Sequence, residues 1–211
     1  MTESLEQYLV PGRTCGECLV CCTDLRIESD ELNKPAGERC RNCIEGGGCA
    51  IYEMRPKPCR DFYCLWRIMP NLEDMWRPDR CGILMRPGRV PQGFPAQLAT
   101  ELYMVRGPDI LETIDFIALT VAYIEDGMAL FLCVPEGDGT TYAQTFLNPA
   151  LGDAIANRDL VEVRSRLRSI YRNLIGAHDD PTAPAVPAAR SWSIRGATSA
   201  SWSGGGYYAR P

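Results

Sequence analysis

The stretch T-C-G-E-C-L-V-C-C, residues 14–22, places four thiols within eight residues: Cys15, Cys18, Cys21 and Cys22. A second run, C-R-N-C-I-E-G-G-G-C-A-I-Y-E-M-R-P-K-P-C-R-D-F-Y-C, carries Cys40, Cys43, Cys49, Cys59 and Cys64. C-x-x-C spacing, at Cys15/Cys18 and again at Cys40/Cys43, lets two sulfurs of one tight turn reach the same ion. Crowded thiolates repel one another and stay protonated unless a cation removes the repulsion. The one histidine, His178, lies far along the chain from both runs, so the expected donor set is sulfur alone. Such a set suits zinc or an iron–sulfur cluster and does not suit magnesium or calcium. The nine clustered cysteines would serve two four-thiolate centres with one left over, or one centre plus a redox-active pair. Spacing selects neither arrangement, nor does it choose between iron and zinc.

Structural disulfides are the competing reading. The total of 11 cysteines is odd, which a closed disulfide set does not favour. The neighbours Cys21 and Cys22 are also poorly placed to bridge each other. The first residues, M-T-E-S-L-E-Q-Y-L-V, have no long apolar run and do not read as a signal peptide. No stretch approaches the ~20 apolar residues of a membrane span. The expected location is therefore cytoplasmic, where disulfides rarely persist. A net charge of -5 argues against nucleic acid or an anionic membrane as partner. The basic residues instead gather near the cysteines. Arg13, Arg39, Arg41, Arg55, Lys57, Arg60 and Arg67 flank them and would offset the negative charge of a thiolate centre.

Other residues around the ligands have readings of their own. Gly46-Gly47-Gly48 permits a tight turn and a close backbone approach. It fails as a phosphate loop, because no Lys-Ser/Thr follows. Pro56 and Pro58 stiffen the approach to Cys59. Tyr52 and Arg55 would hydrogen-bond sulfur or a carboxylate; the plainer reading makes Tyr52 and Phe62 core aromatics. Cys133 sits inside Leu130-Phe131-Leu132-Cys133-Val134 and reads as an inert core thiol. Cys81 reads as a turn residue ahead of a strand, with a spare ligand as the alternative. With no second histidine, Cys–His catalysis has no base to use.

The pattern C-x-x-C-x-x-C-C, followed by C-x-I-Y-E-x-R-P-x-x-C-R-x-F, resembles the YkgJ-type cysteine-cluster family, described as zinc- or iron-chelating. The matching residues are Cys15, Cys18, Cys21 and Cys22, then Cys49 to Phe62, with Cys64, Trp66 and W-R-P-D-R at Trp76 to Arg80 extending the match. The same signature occurs in flagellin lysine N-methylases, whose cluster is held to be iron–sulfur. What the resemblance implies is metal binding, with iron–sulfur slightly favoured, and not a particular activity. Methyl transfer is not carried over, because no glycine-rich motif for S-adenosylmethionine is present. Beyond metal binding two roles compete: a structural ion in an adaptor module, or a redox or accessory enzyme acting in modification of a partner protein.

The elements that must position these cysteines divide the chain by texture. Residues 1–90 are rich in Cys, Arg and Pro and read as a metal-binding region of loops and short helices, organised around something other than an apolar core. Leu19 to Cys22 begins a short helix, Leu25 and Ile27 an extended piece, and Asp61 to Met69 a helix ended by Pro70. Residues 91–176 supply the α/β portion of the same domain. Strands are expected at Gly82–Arg86, Glu101–Val105 and Met128–Val134, with Thr140–Phe146 pairing with the last. A helix capped by Asp109 runs to about Ile124. Another helical stretch opens with Asn148 as cap and Pro149 at its first position, and a striped helix ends near Gly176. The expected fold class is α+β, with residues 177–211 a disordered tail of Pro, Ala, Ser and Gly.

Overall fold

Runs of β-branched, aromatic and aliphatic residues build one four-stranded sheet in the computed structural model, which describes residues 5–96, 98–136 and 142–176. Its strands are β3 (Ile83–Pro87), β4 (Ala99–Met104), β5 (Ala129–Pro135) and β6 (Tyr142–Phe146), lying in that order. A small hairpin of β1 (Ile27–Glu28) and β2 (Asn33–Lys34) stands apart. β3–β4 and β5–β6 pair antiparallel, whereas β4–β5 is parallel. A parallel pair needs a crossover, supplied by helix α5 (Ile114–Glu125). All six residues of β4 are buried, as expected of a strand covered on both faces.

The side-chain period of two divides the sheet. Ile83, Met85, Leu102, Leu130 and Leu132 share one apolar face. The other carries Arg86, Glu101, Tyr103, Cys133, Tyr142 and Gln144. There Arg86 Nε donates to Glu101 Oε2 at 2.6 Å, and the guanidinium sits 4.9 and 4.8 Å from the Tyr103 and Tyr142 rings. Burial, and then the Asp24 carboxylate, raise the Tyr103 pKa. Asp24 belongs to the cysteine-rich half, so that half lies against this face.

The protein is therefore mixed α+β, with a difference from the sequence-based expectation. The first half has apolar anchors: Val20, Leu25, Ile27, Leu32, Leu65, Trp66, Ile68 and Leu72 are buried in one core continuous with the sheet. Its helices are short: α1 (Val20–Thr23), α2 (Lys57–Asp61), α3 (Leu65–Ile68) and α4 (Pro78–Cys81). The helix expected over 61–69 is broken, because Phe62 and Cys64 are extended between α2 and α3. Asp109 opens a 3-10 turn instead of α5, whose cap is Thr113, its side chain accepting from Phe116 N. Nor does Asn148 cap a helix. Helix α6 (Leu147–Ala156) already includes it, and its amide clamps β5, accepting from Leu130 N and donating to Met128 O, each at 2.8 Å. Arg158, in the left-handed region at φ 56°, separates α6 from α7 (Leu160–Gly176).

Among the described residues no helix is long and apolar enough to cross a membrane. His178, the expected tail at 177–211 and the first residues of the strand expected from Thr140 lie outside the described residues.

Candidate metal centre

Two turns and a helix assemble a first group of sulfurs. Cys18 N donates to Cys15 O at 2.8 Å, closing the first C-x-x-C turn, with Gly16 at φ +51°. α1 follows and presents Cys21 and Cys22 in succession, about 100° apart around a helix. From the other side the α2–α3 corner delivers Cys64 at the start of α3. The Cys21 thiol is raised well above its ordinary value, first by burial and then by the nearby charges of Cys64, Cys15, Cys18 and Cys22. Burial pushes Cys64 up to about 12, with Cys15 and Cys18 adding to the rise. Cys15, Cys18, Cys21 and Cys64 are thus mutual neighbours.

Three charged residues surround this group. Arg13 hooks the entering chain onto the exit of α3. Its Nη1 donates to the carbonyls of Trp66 at 2.5 Å and Met69 at 2.8 Å, its Nη2 to that of Leu72, and the guanidinium lies 5.2 Å from the Trp66 ring. Arg67, only 6% exposed, donates from Nη1 to the Cys15 sulfur at 3.2 Å. The Asp79 carboxylate on α4 adds to the rise that burial gives the Cys18 thiol and is itself held by two bonds of 2.7 Å from Arg77. That Arg77 hydrogen bond is the main cause of the lowered Asp79 pKa.

The second group forms around Cys22. Burial raises this thiol to about 12, followed by Cys43 and Cys40 charge, a hydrogen bond to Cys43, and Cys49 charge. Cys59 is pushed up to about 11 by burial, with Cys40 raising it further, Arg55 lowering it and Cys49 raising it. Cys22, Cys40, Cys43, Cys49 and Cys59 therefore share one neighbourhood. The backbone draws them in: Cys40 N donates to Cys22 O at 2.9 Å, Cys43 N to Cys40 O at 3.0 Å, and Cys43 faces Cys49 across an isolated antiparallel bridge. The glycine triplet makes the turn between them and carries φ values of +86°, +117° and +95°. A Cβ on Gly47 would lie 2.8 Å from Glu17 Cα, so the loop of the second group rests on the first C-x-x-C turn.

All nine cysteines singled out in the sequence fall into these two groups. Cys81 and Cys133 do not. Cys81 Sγ bonds the Ile83 carbonyl at 3.3 Å, and Cys133 is fully buried in β5 beside Gln144. Of the seven flanking cations, Arg67 contacts sulfur directly and Arg55 acts on Cys59 through charge. Arg55 also lies 3.8 Å from the Tyr52 ring. Arg39 and Arg60 instead hydrogen-bond the carbonyls of Ile44 and Arg55, and Lys57 pairs with Asp61. Sequence reasoning missed Lys34, whose spacing from the cysteines carries no signal; Arg77 and Asp79 lie in the W-R-P-D-R run of the signature but had no role assigned to them.

No cysteine is disulfide-bonded. Burial is the first cause of an upward displacement of Cys18, Cys21, Cys22, Cys59, Cys64, Cys81 and Cys133, so these seven are not tuned as low-pKa nucleophiles. The donor chemistry fits a soft metal: sulfur from four residues in one group and five in the other. Among the described residues no three His, Cys, Asp or Glu side chains stand in a ready-made ligand arrangement. Closing either group on an ion thus requires its thiols to lose protons and turn inward. Compared with known proteins, the chain matches no family model, no curated protein and no solved structure.

Proposed function

We propose that this protein is a cysteine-ligated metalloprotein with two all-sulfur centres, each taking zinc or an iron–sulfur cluster, and that it belongs with the YkgJ-type proteins whose signature it resembles. One observation carries the reading: nine thiols from distant parts of the chain sort into two groups, and the adjacent Cys21 and Cys22 divide between them. Cys15, Cys18, Cys21 and Cys64 would hold one ion or cluster, and four of Cys22, Cys40, Cys43, Cys49 and Cys59 the other. Bound metal would neutralise the thiolates and tether the loops. Arg67 and Asp79 would orient first-group sulfurs by hydrogen bonding.

Four thiolates leave a zinc ion no open coordination position, which favours a structural role in an adaptor module over redox chemistry or modification of a partner protein. Oxygen-free purification with metal and sulfide analysis tests the proposal. Two equivalents of zinc, or iron with acid-labile sulfide, are expected. Metal-free protein whose thiols all react with an alkylating dye in the folded state would refute it.

A further inference from the structure

We infer that Lys34 is the built-in counter-charge of the second sulfur group and sets the metal affinity of that centre alone; this rests on the metal-binding reading above. Lys34 is 4% exposed, on the short strand β2. Its ammonium donates to the carbonyls of Thr23 at 3.0 Å, Pro35 at 2.7 Å and Glu38 at 2.7 Å. Thr23 directly follows Cys22, and Glu38 lies two residues before Cys40. The hydrogen bond from Cys40 N to Cys22 O joins the same two segments. The ammonium is therefore fixed where the chain enters the second group from both sides.

Three carbonyls account for its three protons, so sulfur is left to interact with it through charge. No carboxylate forms an ion pair with Lys34 among the described residues. A buried, unpaired ammonium is costly. Burial lowers its pKa, and the strongest opposing influences are Cys40 and Cys22, ahead of Asp24 and Glu38. Neutral thiols offer the ammonium nothing, whereas a four-thiolate site with a divalent ion carries net negative charge. Loading the second centre thus adds negative charge beside Lys34, and Lys34 in turn favours loading. At the first group the buried cation is Arg67, which binds Cys15 directly.

The test is a titration of full-length, reduced, metal-free chain with cobalt(II), following thiolate-to-cobalt absorption. Wild type is expected to take two equivalents. Lys34→Gln keeps a hydrogen-bonding side chain without the charge. It is expected to weaken one equivalent at least ~10-fold, within the range of neighbours that tune metal sites, and to leave the other within about two-fold. The absorption of the weakened equivalent should move to longer wavelength, since its thiolates give up electrons more readily without the cation. Lys34→Arg should keep both equivalents and the wild-type band position.

Equal weakening of both equivalents, no weakening, weakening without the band shift, or an arginine variant that behaves like glutamine would each overturn the inference. If Lys34→Gln loses the wild-type far-UV CD before cobalt is added, the arginine variant decides. Retention of both equivalents supports a counter-charge, and loss of them overturns it. A wild-type chain that takes up no cobalt would instead sink the metal-binding reading and this inference with it.

Discussion

Arg67 Nη1 donates to the sulfur of Cys15 at 3.2 Å, across 52 positions of sequence. The same guanidinium lies 5.7 Å from the Tyr63 ring, and against the lowering by burial Tyr52 and Cys15 both raise its pKa. Tyr52 follows Cys49 by three residues and its backbone N donates to the Cys49 carbonyl at 3.2 Å. One buried side chain thus bonds a first-group sulfur and lies near the turn that carries a second-group sulfur.

Replacing Arg67 should weaken metal binding at the first group. Arg67→Met removes both the charge and the bond to Cys15, and a loss of ~10–100-fold in affinity is expected. Arg67→Lys should rescue little, since a compact ammonium cannot both reach Cys15 and keep the planar contact with the Tyr63 ring. Competition against a chromophoric zinc chelator reads both. Wild-type affinity in Arg67→Met would refute the assigned role.

Serine substitutions should separate the centres. Cys21→Ser is expected to remove one metal equivalent, leaving roughly half the wild-type content by elemental analysis. Cys22→Ser combined with Cys40→Ser, which leaves the second group three sulfurs, should remove the other. Retention of full metal by Cys21→Ser would place that sulfur outside its group.

Alkaline pH should destabilise the metal-free chain. Cys18 and Cys59, at about 11, and Cys22 and Cys64, at about 12, lie above the ordinary thiol value of 9.0. The native state therefore binds more protons than the unfolded state between those limits, and stability falls as pH rises through them. It is fully present below pH 9. Metal-loaded protein already holds these groups as thiolates, so its alkaline loss should be smaller, while its acid limb should steepen as protons compete for sulfur. Thermal melts of both forms from pH 5 to 11 measure this.

Gly47→Ala should destabilise the chain by ~1–3 kcal/mol, from a strained φ and from contact with the Glu17 backbone. Gly46→Ala is the control: its φ is also positive, at +86°, but its Cβ would meet nothing within 4 Å. Urea denaturation should rank Gly47→Ala as clearly the more damaging. Equal effects would mean that the contact between the two cysteine loops contributes nothing.

Within the sheet, Glu101→Leu should cost about 1.5–3 kcal/mol, because it removes the charge-assisted hydrogen bond from the buried Arg86. The loss should appear in both metal-free and metal-loaded protein, which separates it from the effects at the cysteines. Denaturation of the two forms side by side checks it.

Local features of the chain were legible in its sequence because they depend on near neighbours. The strand Met128–Val134 announced itself as a continuous apolar run, and the observed strand spans Ala129–Pro135. Cys133 was readable as a core thiol and Cys81 as a residue ahead of a strand. The nine clustered thiols, the two C-x-x-C turns and the glycine turn were likewise visible as patterns.

Helix boundaries were less legible where tertiary partners compete. Asn148 has the chemistry of a cap, but its amide gains more from the Leu130 and Met128 backbone. The expected helix over 61–69 gives way to a corner, which delivers Cys64 to the first group. Only the folded chain decided how the sulfurs are shared. Cys21 and Cys22 are neighbours in sequence, yet the helical rotation between successive residues turns them toward different loops. Lys34 and Asp79 joined the site for the same reason: charges separated along a chain interact when folding brings them close in a medium that screens poorly. Spacing specifies which thiols can share a turn, and packing specifies which turns meet.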